Sequence, residues 1–193
     1  MTDSAGGEGR LRVPLPIARA PGGTGSERAW SPEAVHILAK PTDAICNLGC
    51  SYCFSLDREQ MYEGDVFRMS EETLDAYIRQ LIAMHRVPQV TVAWQGGEPT
   101  MMGLPFYRRA MELEERHREP GMTFLNTMQT NGTLLTDEWC AFFAEHDFLL
   151  GISIDGPREL HDALRVNKAG KGTFDEAMWG CGSFRSTGSS TTS

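Results

Sequence analysis

Three thiols stand close together as Cys46-x-x-x-Cys50-x-x-Cys53. Thiolates are the ligands that iron–sulfur cubes take. On a loop, this spacing lets three sulfurs converge on three corners of a [4Fe–4S] cluster. The fourth iron is then left without a protein ligand and can bind something else. Gly49 is expected to give the loop a permissive turn. Tyr52 and Phe54 flank the last cysteine and are expected to shield the metal from water. The competing metal chemistries fit less well. A structural zinc site wants four ligands, commonly in paired Cys-x-x-Cys knuckles; no second pair exists, and the histidines are scattered. An electron carrier with a fully protein-ligated cluster would need a fourth cysteine nearby. The chain has 5 cysteines, an odd number, which argues against a disulfide framework. Cys140 lies in an apolar helical pattern and reads as a small buried hydrophobe. Cys181 is assigned no role.

Such a loop needs a scaffold, and the chain is long enough to supply one. Its 193 residues, 40% hydrophobic and 23% charged, suit one globular domain with a short appendage. The formal net charge of −8 argues against nucleic acid or an anionic membrane as partner. No apolar run is long enough for a transmembrane helix. The N-terminus has no signal-peptide core, so the cytoplasm is the expected location. Residues 1–34 are rich in Gly, Pro, Ala and Arg and read as a disordered leader.

From Val35 the pattern alternates. Val35–Ala39 reads as a strand, and the cysteine loop follows it. Ser70 caps a helix over about 70–86, with Glu71 and Glu72 in its first turn. Val90–Trp94 is a second strand, ending at Gln95-Gly96-Gly97-Glu98-Pro99. Residues 104–118 are helical. Met122–Met128 is a third strand, ending at Gln129-Thr130-Asn131-Gly132. Thr136 caps the next helix, and Phe148–Ile154 is a fourth strand, ending at Asp155-Gly156-Pro157. Short helices are expected over 158–164 and from Thr173. Strands alternating with helices signal parallel βα units, here about four. Every unusual loop follows the C-terminal end of a strand, the edge where such sheets build active sites. A closed eight-stranded barrel takes about 250 residues. The chain turns low in complexity after Trp179, so an incomplete barrel over 35–179 and a low-complexity tail over 180–193 are expected.

Four motifs in this order carry a family resemblance. Lys40-Pro41, Cys46-Asn47-Leu48 and Cys50-x-Tyr52-Cys53-Phe54 come first. Gln95-Gly96-Gly97-Glu98-Pro99-Thr100, Gln129-Thr130-Asn131-Gly132-Thr133-Leu134 and Ser153-Ile154-Asp155-Gly156-Pro157 follow. The set resembles the radical S-adenosylmethionine enzymes, and among them the anaerobic sulfatase-maturating enzymes, over about residues 36–178. The resemblance implies an α/β fold, a partial (β/α) TIM-type barrel of the radical SAM type. It implies an oxidoreductase whose cluster, on Cys46, Cys50 and Cys53, cleaves S-adenosylmethionine to a 5′-deoxyadenosyl radical. That radical takes a hydrogen from a Cys or Ser of a sulfatase polypeptide, leading to Cα-formylglycine. A reduced flavodoxin or ferredoxin-type donor would supply electrons. By the same resemblance, Tyr52, Gly97, Ser153 and Arg165 contact the cofactor. Arg165 would bind its carboxylate, Tyr52 would use its backbone, and Gln95, Glu98 and Asn131 lie nearby. Asp155 reads as a turn residue. The family's catalytic base lies beyond this sequence, and no catalytic residue is assigned. The rival readings are a maturase of another peptide, or a non-catalytic iron–sulfur-binding fragment.

Overall fold

The computed structural model describes residues 32–55, 67–186 and 191–192. The expected leader falls almost wholly outside these residues. Five strands form one sheet: β1 Leu38–Ala39, β2 Gln89–Trp94, β3 Thr123–Thr130, β4 Leu149–Ile152 and β5 Thr191–Thr192. They lie in sequential order, and every pairing is parallel. Helices α1 Glu71–Ala83, α2 Leu104–His117, α3 Asp137–Glu145, α4 Arg158–Leu164 and α5 Phe174–Ser186 fill the connections. Sequential parallel order with helical crossovers is the arrangement of a (β/α) barrel wall.

Local chemistry accounts for the element boundaries. Ser70 Oγ accepts the Thr73 N–H at 3.1 Å, and Thr136 Oγ1 accepts that of Trp139 at 3.4 Å. Each cap satisfies a donor that the first helical turn leaves free. Val90, Val92 and Trp94 alternate along β2 and are fully buried under the helices. Trp94 meets Tyr107 edge-on, and Tyr107 meets Trp139, each with ring centroids 5.5 Å apart. This aromatic line ties β2, α2 and α3 together.

Two ends differ from the sequence expectation. β1 keeps only two residues, because the apolar run before it lacks a partner beyond Ala93 and Trp94. The expected low-complexity tail is in part regular: α5 runs on to Ser186, and Thr191–Thr192 pairs with Leu150 and Gly151. Once Phe174–Glu176 has formed a first turn, extension costs far less than nucleation. Gly180 also lets the helix approach the Gly132 carbonyl, where a Cβ would collide.

One buried carboxylate sits away from the sheet edge. Glu114 Oε2 accepts from Asn126 Nδ2 at 3.0 Å, and Asn126 Oδ1 accepts from Trp94 Nε1 at 2.9 Å. Glu114 Oε1 has no hydrogen-bond partner among the described residues. Burial pushes this carboxyl up from its ordinary value to about 7. Between the unfolded and folded values only the folded state keeps the proton. Stability therefore falls as pH rises through that window and levels off above about 7. A shift of this size is worth on the order of 3 kcal/mol. Glu114→Gln is expected to remove the slope and to gain most over wild type at pH 8. Urea unfolding at pH 5 and pH 8 checks this; a wild type–variant difference that does not change with pH counts against it.

Candidate functional site

The C-terminal ends of β1 to β4 deliver four loops to one place. Cys46, Cys50, Cys53, Tyr52, Gly97, Ser153 and Arg165 all line a cavity of about 480 Å³. Gln95, Gln129, Asn131 and Lys168 are also part of its wall; Lys168 is a lining residue with no motif to mark it in the sequence.

Backbone pairing holds the cysteine loop. The Gly49 N–H donates to the Val166 carbonyl at 2.7 Å, and the Ser51 N–H to that of Leu164 at 3.0 Å. On the other side the Glu98 N–H donates to the Ile45 carbonyl at 2.9 Å. Gly49 does not serve as the expected special turn: it has no positive φ, and open space surrounds its Cβ position. Glycine is required instead at Gly97, with φ +50°, where a Cβ would run into the Ile45 carbonyl. The neighbouring Gly96 carbonyl accepts from Thr42 Oγ1 at 3.0 Å, so one of its lone pairs is already engaged.

The thiols differ in surroundings. Burial pushes both Cys46 and Cys50 up from the ordinary thiol value. For Cys46, N–H groups of Leu48 (3.4 Å) and Asn131 (3.7 Å) point at the sulfur and pull the other way. All three thiols are free. Among the described residues, no three His, Cys, Asp or Glu groups are close enough to share a single metal ion. A [4Fe–4S] cube with one open iron takes its three thiolates at three separate irons, so they must border a common space without converging on one point. An all-thiol set around this cavity fits that requirement.

Arg165 and Tyr52 meet at Asp155, whose sequence neighbours mark only a turn. Asp155 takes Arg165 Nε at 2.9 Å, Arg165 Nη2 at 3.1 Å and the Tyr52 hydroxyl at 2.7 Å. The guanidinium also lies over the Tyr52 ring, 5.5 Å from its centroid. Partial burial works against the Asp155 charge, yet the Arg165 and Tyr52 hydrogen bonds outweigh it and hold the carboxyl below its ordinary range. Burial, then the bond to Asp155, pushes Tyr52 up to about 12. Asp155 is thus more than a turn residue: it fixes one edge of the Arg165 fork and leaves Nη1 for a ligand. Ser153 Oγ accepts from Gln129 Nε2 at 2.9 Å. Tyr52 and Phe54 are 53% and 79% exposed, so Phe54 shields little. Cys140 is buried on the inner face of α3 as expected.

The deepest member of the site is Glu98, fully buried. Its Oε1 accepts from Thr100 N (3.1 Å), Thr100 Oγ1 (2.6 Å) and Thr130 Oγ1 (2.7 Å); Oε2 accepts from Asn131 N (2.7 Å). Burial pushes its pKa up, and these donors offset only part of the rise.

Residues 42–193 match the family described as the Radical SAM superfamily. The chain belongs to that superfamily. Within it, the chain is 47% identical over 147 residues to the serine-type anaerobic sulfatase-maturating enzyme of Bacteroides thetaiotaomicron, covering 76% of this chain and 35% of that one. It is 36% identical to the cysteine-type enzyme of Clostridium novyi, covering 76% of this chain and 39% of that one. The solved structure of native anSMEcpe with bound AdoMet and Cp18Cys peptide superimposes with a TM-score of 0.73 at 33% identity. That match covers 81% of this chain and 41% of that one. The chain therefore spans well under half the length of these radical SAM relatives. No helix among its described residues is long and apolar enough to cross a membrane.

Proposed function

We propose that this chain is the cluster- and cofactor-binding part of an anaerobic sulfatase-maturating enzyme. The observation that carries the reading is one cavity lined by all three motif cysteines together with Gly97, Ser153 and Arg165. Its supports are the relatives of that name and the fold shared with an AdoMet-bound neighbour. Cys46, Cys50 and Cys53 would hold a [4Fe–4S] cluster, leaving one iron open to S-adenosylmethionine. When bound, this pair supplies an electron and a 5′-deoxyadenosyl radical for hydrogen abstraction from a sulfatase Cys or Ser, on the way to Cα-formylglycine.

The residues of the chain bind and orient. Arg165, with Nε and Nη2 held by Asp155, would offer its remaining donors to the cofactor carboxylate. Ser153 would add a hydroxyl beside it. Gly97 lets the loop after β2 close against the Ile45 carbonyl, where a Cβ would collide, and its backbone would border the ligand from there. The Tyr52 ring is held by Asp155 and Arg165, so its backbone would border the adenosine. A flavodoxin or ferredoxin-type protein would deliver electrons.

The test is anaerobic reconstitution with iron and sulfide, reduction, and addition of S-adenosylmethionine. The expected product is 5′-deoxyadenosine. Cys46→Ala, Cys50→Ala and Cys53→Ala should each reduce it to background and lose the brown absorbance. Full cluster content in all three variants would refute the ligand assignment. A loaded wild-type chain that yields no 5′-deoxyadenosine would refute the catalytic reading.

A further inference from the structure

Asn131 reaches the cysteine loop from the far side of the cavity, and its amide is locked. Oδ1 accepts from Thr133 N at 2.9 Å and Thr133 Oγ1 at 2.8 Å. A backbone N–H can only donate, so Oδ1 must face Thr133 and Nδ2 must face the other way. Nδ2 has two hydrogens. One goes to Asn47 Oδ1 at 2.9 Å, and the other points at Cys46 Sγ at 3.7 Å. Asn47 Nδ2 closes the ring by donating to Thr133 Oγ1 at 2.8 Å. The Asn131 backbone is fixed as well, through its N–H to Glu98 Oε2. The side chain is 93% buried, being 7% exposed, where such dipoles act with little screening.

We infer that Asn131 is a tuning residue for the cluster: its fixed N–H donates to the Cys46 sulfur and raises the cluster's reduction potential. The inference rests on Cys46 being a cluster ligand, as proposed above. Reduction adds negative charge to the cluster and its thiolates. A donor aimed at one sulfur stabilises the reduced form more than the oxidised form, so the potential rises. The Leu48 N–H at the same sulfur comes with the loop itself. The Asn131 donor is supplied separately, by the strand whose end Glu98 anchors.

The experiment is a redox titration of the reconstituted chain, followed by electron paramagnetic resonance, with iron counted per chain. Asn131→Ala is expected to lower the one-electron reduction equilibrium roughly tenfold, a downward move of about 59 mV. A second variant, Asn131→Ser, keeps an acceptor for the Thr133 N–H but is too short to reach the sulfur. It should move the potential in the same direction while preserving the turn. An unchanged potential in a fully loaded variant overturns the inference. So does failure of both variants to hold iron, which would make the amide a folding element only. A wild-type chain that assembles no cluster sinks the proposed function itself; a loaded wild type with an unmoved variant sinks this inference alone.

Discussion

Gly97→Ala is expected to disable the site by breaking its floor. At φ +50° an alanine is strained by about 1–2 kcal/mol. The added Cβ would also meet the Ile45 carbonyl, with the Asp43 carbonyl close behind. Both neighbours are backbone and cannot swing aside as a side-chain tip would. Overpacking of this kind adds about 1–3 kcal/mol. The total, about 2–5 kcal/mol, is a large part of a domain's stability. The displaced segment leads directly into Cys46, so the thiols should move with it. We expect iron content below a tenth of wild type after reconstitution, with a lower midpoint in urea. Gly49→Ala is the matched comparison, because nothing lies within 4 Å of its Cβ position. It should load iron as wild type does. Equal loading by both alanine variants would show that the close approach at Gly97 does not hold the loop.

That contrast marks what a sequence reading can and cannot see. Cysteine spacing is local information, and it was enough to nominate Cys46, Cys50 and Cys53. Apolar runs and caps such as Ser70 and Thr136 are local too, and they placed the βα units to within a few residues. Which glycine matters is not local. Gly49 stands beside a thiol yet is conformationally ordinary, whereas Gly97 is pressed against a carbonyl 52 positions earlier. Asp155 failed to stand out for a related reason. Its neighbours Ile154 and Gly156 suggest only a turn, while its partners are Tyr52, from the cysteine loop, and Arg165, from the end of α4. The continuation of α5 beyond Trp179 was hidden by composition, since Gly, Ser and Thr favour loops until an existing helix carries them along.

Glu98 shows the same limit at its strongest, and it gives the second large effect. Its carboxylate receives two backbone N–H groups and two threonine hydroxyls from two segments, Thr100 and Thr130–Asn131. The hydroxyls can rotate to other acceptors, but the N–H groups of Thr100 and Asn131 cannot. Glu98→Ala would leave both buried donors without a partner, at about 1–3 kcal/mol each, besides opening a cavity. A loss of at least about 3 kcal/mol is expected, with failure to load iron. Glu98→Gln is the more informative change. Three donors converge on Oε1, so the amide oxygen must sit there. The NH₂ then faces the Asn131 N–H, donor against donor. This should cost about 2 kcal/mol and displace Asn131, while the core under α2 and α3 stays packed. Urea unfolding and hydrogen exchange at Asn131 and Thr133 distinguish the outcomes. Faster exchange confined to the loop after β3 is the expected result; wild-type stability and exchange in Glu98→Gln would mean that the carboxylate charge does not organise the floor of the site.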